Sequence, residues 1–395
     1  MSKKKVLMVH NFYQIGGGEH TVYKNEVNML RENGHEVVEY TRSNDELKQS
    51  KLKLLLLPFT TIWSIKTYRE VKKIIKEQNI EIVHCHNTFP LISPSVYYAA
   101  RKKKVPVVQT IHNFRFLCPG AIFYRDGRIC EECREKQNFK SALKHRCYRN
   151  SKIQTLVVTL MLKIHRRLGT YSKINYIFLT DFNRQKFDKL IDINGRNVFV
   201  KPNFVKKIRK NEEKQEKKKT ENNKVFVYSG RLEDNKGIQS LLEMWGKLPQ
   251  DFELHIYGTG VYKEKVEKMA QKKSNIIYYG FQPQSTIFKD IENCAAVLIT
   301  SEWYETFGMS IPESFSLATP VICTDLGNPK AMIEKSKGGE VYKIDDVDSF
   351  YTALKRIVAK RESYSQNALL YYEEKLSDEV NYEKLREIYD KARVI

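Results

Sequence analysis

The chain has 395 residues, enough for two domains of ordinary size, and its 41% apolar content is that of a globular protein with a sizeable core. Sixty-eight Lys and Arg against 47 Asp and Glu leave a net charge of +21, which attracts anions: phosphorylated substrates, anionic lipid or nucleic acid. No run of about 18 apolar residues is present to span a membrane, the apolar run Val6–Val9 after Met1-Ser-Lys-Lys-Lys is too short for a signal peptide, and neither an aromatic-basic RNA-binding signature nor a zinc-finger helix pattern is visible.

The first half alternates short apolar β-like runs with amphipathic helical stretches. Candidate strands are Val6–His10, Glu36–Tyr40, Ile82–His86, Pro106–Ile111, Tyr176–Thr180 and Val198–Lys201. Residues 206–223, rich in Lys, Glu, Asn and Gln, read as a solvated linker that puts a boundary near residue 204. The second half repeats the alternation with Val225–Ser229, Glu253–Tyr257, Ile276–Tyr279, Ala296–Thr300, Val321–Thr324 and Glu340–Tyr342, and Asn381–Ala392 reads as a final helix. Two such series predict an α/β protein of two Rossmann-like, doubly wound domains with parallel sheets. The expected division is 1–203 with a Cys-rich insertion at 113–150, a linker at 204–223, a second domain at 224–380, and a helix at 381–395 that packs back on the first domain.

Several loops after strands carry chemistry. Gly16-Gly17-Gly18-Glu19 follows the first strand and opens a helix, where backbone can approach an anion closely. It is neither a dinucleotide fingerprint nor a P-loop, and a plain tight turn is the simpler reading. Gly230-Arg231-Leu232-Glu233-Asp234-Asn235-Lys236-Gly237 places two cations in a strand-to-helix loop, suited to a diphosphate or equally to solvent. His112 stands at the carboxyl end of a strand, as do His84 and His86 in Val83-His-Cys-His-Asn87. Glu305 and Glu313 are separated by seven residues after the apolar run Ala295–Ile299, one on the loop and one in the first turns of a helix. Both acids then face the crevice at the strand's carboxyl end, where they can hold hydroxyls. Asp346-Val347-Asp348 spells a D-x-D, but in a polar turn where solvation is the better reading.

Gly230-Arg231-Leu232…Lys236-Gly237, Tyr257-Gly258-Thr259-Gly260, Tyr279-Gly280-Phe281 and Glu305…Glu313 through Pro320-Val321-Ile322 come in one order. With Gly16–Glu19, His112 and Lys201-Pro202-Asn203, the chain resembles the retaining glycosyltransferases of family 4, which have the GT-B fold of two domains facing a central cleft. The resemblance implies that Arg231 and Lys236 hold the donor diphosphate and that Glu305 binds donor-sugar hydroxyls beside the amides of Phe307 and Gly308. It further implies that Glu313 binds the ribose, that Phe281 and Gln282 line the base, that Gly16 to Gly18 approach the diphosphate and acceptor, and that His112 approaches the sugar or reaction centre. Two departures stand out. Pro312 precedes Glu313, which places the helix start near Ser310, and Phe204 replaces the glycine of the family's Pro-Asn-Gly. The implied chemistry is front-face displacement with a UDP- or GDP-sugar donor and no catalytic metal. A nucleotide-sugar epimerase of the same fold and a non-catalytic nucleotide-sugar binder are the alternatives.

Cys85, Cys294 and Cys323 lie in β-like runs and read as small core residues. Cys118, Cys130, Cys133 and Cys147 lie within 30 residues and include a C-x-x-C. Four thiolates so spaced can form a tetrahedral structural zinc site; free thiols and a disulfide pair are the alternatives. Leu52–Leu57 with Lys51 and Lys53, followed by Phe59, Ile62 and Trp63, and Ile153–Ile164 ending in Lys163, His165, Arg166 and Arg167, mix apolar bulk with cations. Pro58 is expected to break the first. Both suit an anionic membrane surface as well as a buried core. The expectation is therefore a cytoplasmic protein, peripheral on the inner membrane face. It would transfer sugar to a saccharide acceptor carried on lipid, in cell-surface polysaccharide synthesis, with no nucleic-acid partner.

Overall fold

The structure is a computed structural model that describes residues 3–14, 16–48, 51–207 and 224–395. Residues 208–223 of the expected linker lie outside the described residues. The chain divides into two compact units. The first is Met1–Phe123, Cys130–Asn203 and Asn381–Ile395; the second is Tyr124–Ile129 and Phe204–Val380.

All twelve predicted strands form, with ends moved by a few residues. In chain order they begin with β1 (Lys5–Phe12), β2 (Glu36–Ser43), β3 (Ile82–Asn87) and β4 (Val107–Ile111). A short hairpin, β5 (Tyr124–Arg125) and β6 (Arg128–Ile129), comes next, then β7 (Asn175–Phe178) and β8 (Val198–Val200). The second series is β9 (Val225–Ser229), β10 (Glu253–Tyr257), β11 (Ile276–Gly280), β12 (Ala296–Ile299), β13 (Val321–Thr324) and β14 (Gly339–Tyr342). Each series makes one parallel sheet, ordered β2-β1-β3-β4-β7-β8 and β11-β10-β9-β12-β13-β14. Parallel strands covered by helices on both faces must be apolar throughout, which is why Val6–Val9 and Ala295–Leu298 are continuous buried runs.

The two orders fix where ligands can bind. In the second sheet β9 and β12 are neighbours although two strands separate them in sequence, so the winding reverses between them. In the first sheet the reversal falls between β1 and β3. At each reversal the loops after the strands diverge and leave a crevice at their carboxyl ends.

One local expectation needs correction, and one element has no counterpart in the expectations. The helix Lys51–Ile62 runs through Pro58 rather than ending there. Proline removes only one N–H, and the turn beyond it is closed by Trp63 N–H to the Phe59 carbonyl. The Cys-rich insertion expected at 113–150 contains the β5–β6 hairpin, whose turn residues Asp126 and Gly127 have φ of 51° and 73°. Positive φ at both positions is what Asp-Gly supplies in a two-residue hairpin. Two-residue strands are too short to leave a hydrophobic period in the sequence.

The helix Asp378–Lys391 ends the chain, and its part from Asn381 onward belongs to the first unit. Its polar contacts there are buried. Asn381 accepts a 2.7 Å bond from Lys201 Nζ and donates to the Pro202 carbonyl, while Tyr389 Oη meets His84 Nδ1 at 2.7 Å. Lys201 is 1% exposed and lies 3.6 Å from the fully buried Glu26 carboxylate. A buried ammonium with one partner removed leaves much of its desolvation cost uncompensated. Asn381→Ala is therefore expected to lower stability by about 2–4 kcal/mol, seen as a lower urea midpoint with unchanged slope.

Candidate active site

In the second unit the chain leaves β9 at Ser229, forms the loop Gly230–Gly237, and enters the helix Ile238–Gly246. It leaves β12 at Ile299 and passes through Thr300–Met309 into the helix Ser310–Ser316. These loops flank the reversal, and their backbones touch. Glu302 N–H bonds the Asn235 carbonyl at 3.1 Å, and Thr300 Oγ1 bonds the Lys236 carbonyl at 2.7 Å. Gly237 has φ of 66°, and a Cβ on it would lie 1.8 Å from the Thr300 carbonyl oxygen. Only glycine lets the two loops approach so closely.

This contact brings Lys236 Nζ onto Glu305 Oε1. The same carboxylate accepts from Ser301 Oγ at 2.7 Å and Trp303 Nε1 at 3.0 Å, and Lys236 also lies over the Trp303 ring. Glu305 is 9% exposed. Burial alone would raise its pKa; Lys236 and the two neutral donors instead bring it below the ordinary value. The site thus holds a fixed carboxylate and a fixed ammonium, an arrangement that can bind a hydroxyl on one side and a phosphate on the other. Arg231, the second predicted cation, is more exposed and pairs with Glu233 at 3.0 Å.

Glu313 sits in the helix that starts at Ser310, as Pro312 requires. Proline at the third helical position costs no hydrogen bond because the first four N–H groups have no helical partner. Burial pushes the half-buried Glu313 carboxyl up to about 7, against one donor, Gln284 Nε2, at 2.9 Å. Gln284 begins the helix after Tyr279-Gly280-Phe281-Gln282, so this bond ties the loop expected to line a base to the acid expected to hold a ribose. Phe281 is 78% exposed and available for stacking. Phe307 is buried, its carbonyl held by Asn328 Nδ2, and Gly308 turns the chain with φ of 84°.

The residues missed by sequence reasoning here are Ser301, Trp303 and Gln284. Tyr257-Gly258-Thr259-Gly260 also takes on a different meaning. Cβ atoms on Gly258 and Gly260 would lie 1.9 and 2.4 Å from the carbonyl oxygens of Gly230 and Leu232. These glycines let one loop support the other. Asp346 of the D-x-D caps a helix by accepting from Ser349 N–H at 2.8 Å.

In the first unit, Gly16–Gly18 lie at the start of the helix Gly18–Glu32, beside the reversal between β1 and β3. A Cβ on Gly17 would meet nothing within 4 Å, whereas one on Gly16 would lie 3.3 Å from His20 Nδ1, so the open space is at Gly17. His112 follows β4 and stacks on His86, with His112 Nε2 2.9 Å from His86 Nδ1. Burial and the nearby Lys201 charge pull its pKa down to about 3, so it works as a neutral imidazole. His86 and His84 lie 3.8 and 3.7 Å from Glu26. Among the described residues Glu26, His84 and His86 bring three potential metal-ligating atoms within 4.8 Å. Lys201 places an ammonium 3.6 Å from the same carboxylate, and His86 carries the contact to His112.

The four cysteines Cys118, Cys130, Cys133 and Cys147 are brought into one neighbourhood in the first unit. Cys85 and Cys323 are buried in β3 and β13, and Cys294 is buried at the end of the helix before β12.

Known proteins share this pattern. The family described as Glycosyltransferase Family 4 matches residues 15–156, and that described as Glycosyl transferases group 1 matches residues 209–370. The putative glycosyltransferase EpsD of Bacillus subtilis is 22% identical over 76% of this chain and 73% of its own length. The poly(ribitol-phosphate) alpha-N-acetylglucosaminyltransferase of Staphylococcus aureus is 30% identical over 45% of this chain, and the match spans 36% of that protein's length. The solved structure of Anabaena HepE in complex with UDP is alike in fold, with a TM-score of 0.64 at 13% identity over 98% of this chain and 99% of its own. The chain belongs to the group 1 and family 4 glycosyltransferases and has the GT-B fold.

The raised Glu313 pKa gives a signed prediction. Above about pH 7 the carboxylate is charged and accepts hydroxyl protons strongly; below it the carboxyl is protonated and one strong acceptor is lost. KM for the nucleotide-sugar donor is expected to rise about tenfold from pH 8 to pH 6, the worth of one charged hydrogen bond. Glu313→Gln should show a flat KM over the same range in steady-state kinetics.

Proposed function

We propose that the protein is a retaining glycosyltransferase that moves a hexose from a UDP- or GDP-sugar to a saccharide acceptor carried on lipid, in the assembly of a cell-surface polysaccharide. The observation that carries this reading is the Lys236–Glu305 pair, fixed by three further contacts at the winding reversal of the second sheet. In this reading Glu305 accepts from donor-sugar hydroxyls and Lys236, with Arg231 turning from Glu233, neutralises the diphosphate. Glu313 holds the ribose and Phe281 with Gln282 meets the base. The first unit receives the acceptor, with His112 and the Gly16–Gly18 loop at its reaction side. The UDP bound by HepE and the alpha transfer named for the Staphylococcus relative are consistent with such a donor and with retention.

The chemistry follows from what the carboxylates can do. Glu305 is ionised but engaged by an ammonium, a hydroxyl and an indole, which makes it a poor nucleophile. Retention without a protein nucleophile requires attack from the face that the leaving group departs. The acceptor hydroxyl forms its bond to the anomeric carbon as the bond to the diphosphate breaks, and its proton passes to the departing phosphate oxygen. Lys236 and Arg231 stabilise the charge that gathers on that oxygen, a preorganised electrostatic contribution.

A lipid-borne acceptor is supported by the first unit. The helix Lys152–Arg167 exposes Ile153, Leu156, Leu160 and Ile164 along one face, and the helix Lys51–Ile62 packed against it exposes Leu54, Leu55, Leu56 and Phe59. The side chains of residues 51–53 lie outside the described residues. Beside these helices Trp63, Tyr68, Tyr98, Arg101 and Lys102 line a cavity of about 360 Å³. Exposed apolar stripes edged by cations are the pattern of helices that lie in an anionic interface.

The test is transfer itself. Purified protein is incubated with labelled nucleotide sugars and lipid-linked saccharides in anionic vesicles, and the product is examined by NMR. The expected result is an acceptor-bound sugar with the donor's anomeric configuration, at a rate that falls at least tenfold when Leu55 and Ile153 are both replaced by Glu. An inverted anomer would remove retention. Epimerised nucleotide sugar without transfer would favour an epimerase.

A further inference from the structure

Residues 113–150, which belong to the first unit apart from Tyr124–Ile129, contain few regular elements. The only helices described there are Glu132–Glu135 and Lys140–Lys144. Several non-glycine residues are held at positive φ, among them Ala121 at 70°, Phe123 at 50° and Gln137 at 51°. The segment buries Phe114, Leu117, Phe123 and Phe139, a small apolar core for so irregular a backbone. Segments of this kind are commonly held by a covalent or metal crosslink.

The four cysteines sit inside this segment. Cys118 begins the turn Pro119–Phe123, and the Ala121 N–H bonds the Cys118 carbonyl at 2.8 Å. The Cys147 N–H bonds the Ala142 carbonyl at 3.1 Å, which ties the last cysteine to the short helix that follows Cys133. Cys133 is buried and interacts electrostatically with all three other cysteines. A Cβ on Gly120 would lie 3.7 Å from Cys118 Sγ and 3.8 Å from Cys147 Cβ, so the first and last cysteines approach the same point. Cations stand nearby: Arg115 acts on Cys118 and Arg166 on Cys133, and the Nε atoms of both arginines are buried without a hydrogen-bond partner.

We propose that Cys118, Cys130, Cys133 and Cys147 bind one structural zinc ion that fixes this segment. Each thiol gives up its proton to solvent as its sulfur joins the metal, so four thiolates and one Zn²⁺ leave two negative charges beside Arg115 and Arg166. No three of these sulfurs lie within 4.8 Å of one another in the structure. Zinc with sulfurs at about 2.3 Å draws them to about 3.8 Å, a contraction that a turn-rich segment accommodates. Soft thiolates select zinc over harder ions.

The experiment uses the full chain, purified from zinc-supplemented cells under reducing conditions. Elemental analysis is expected to find equimolar zinc, released by a mercurial reagent. Exchange with Co²⁺ should give thiolate-to-cobalt charge-transfer bands with the visible bands of a tetrahedral ion. The double variant Cys130→Ser, Cys133→Ser should lose the metal. If that variant fails to fold, the metal content and cobalt spectrum of the unaltered chain decide the matter. Four freely reactive thiols with no bound metal, a disulfide in a non-reducing peptide map, or zinc retained in full by the double variant would each overturn the proposal.

Discussion

A lysine and a glutamate 69 residues apart meet because two loops at a winding reversal pack backbone against backbone. That meeting constrains much of the second unit. Gly237 has no side chain because the Thr300 carbonyl occupies its place, and Gly258 and Gly260 have none because the loop carrying Lys236 rests on them. Ser301 and Trp303 complete the carboxylate's shell. Each of these features orients the charges before any ligand arrives, so little reorganisation remains to be done during reaction.

The first unit solves a different problem. It buries Lys201, Glu26, His84, His86 and His112 together, and the last helix of the chain supplies partners to two of them. Asn381 holds Lys201, Tyr389 meets His84, and His86 orients His112. A set of neutral imidazoles above one buried ion pair is costly to assemble unless every member is held. The final helix therefore belongs to the architecture of His112 as much as to the fold.

Much of this was legible in the sequence. Parallel strands buried on both faces appear as apolar runs, so all twelve could be read, and the ordered motifs pointed to the family before any contact was known. What could not be read were contacts that depend on tertiary approach. Glu305 and Glu313 were visible as a pair of acids, but Lys236 as the partner of Glu305 was not. Gln284 gave no signal at all. The support of His112 by His86 was partly visible, since His84 and His86 alternate with Cys85 and so share a face of β3. The β5–β6 hairpin was missed because its strands are two residues long, although Asp126-Gly127 was the available sign. Pro58 was misread because a single proline seemed sufficient to end a helix whose neighbouring turns close without it.

The central claim is that Lys236 and Glu305 act as one preorganised unit on the donor. A double-mutant cycle tests it most directly, with kcat/KM for sugar transfer measured for Lys236→Met, Glu305→Gln and the combination. Each single change should cost about 10²–10³-fold, and the double variant should be little worse than the weaker single one, because either change already breaks the unit. Fully additive losses, or single variants within tenfold of the unaltered protein, would contradict the account.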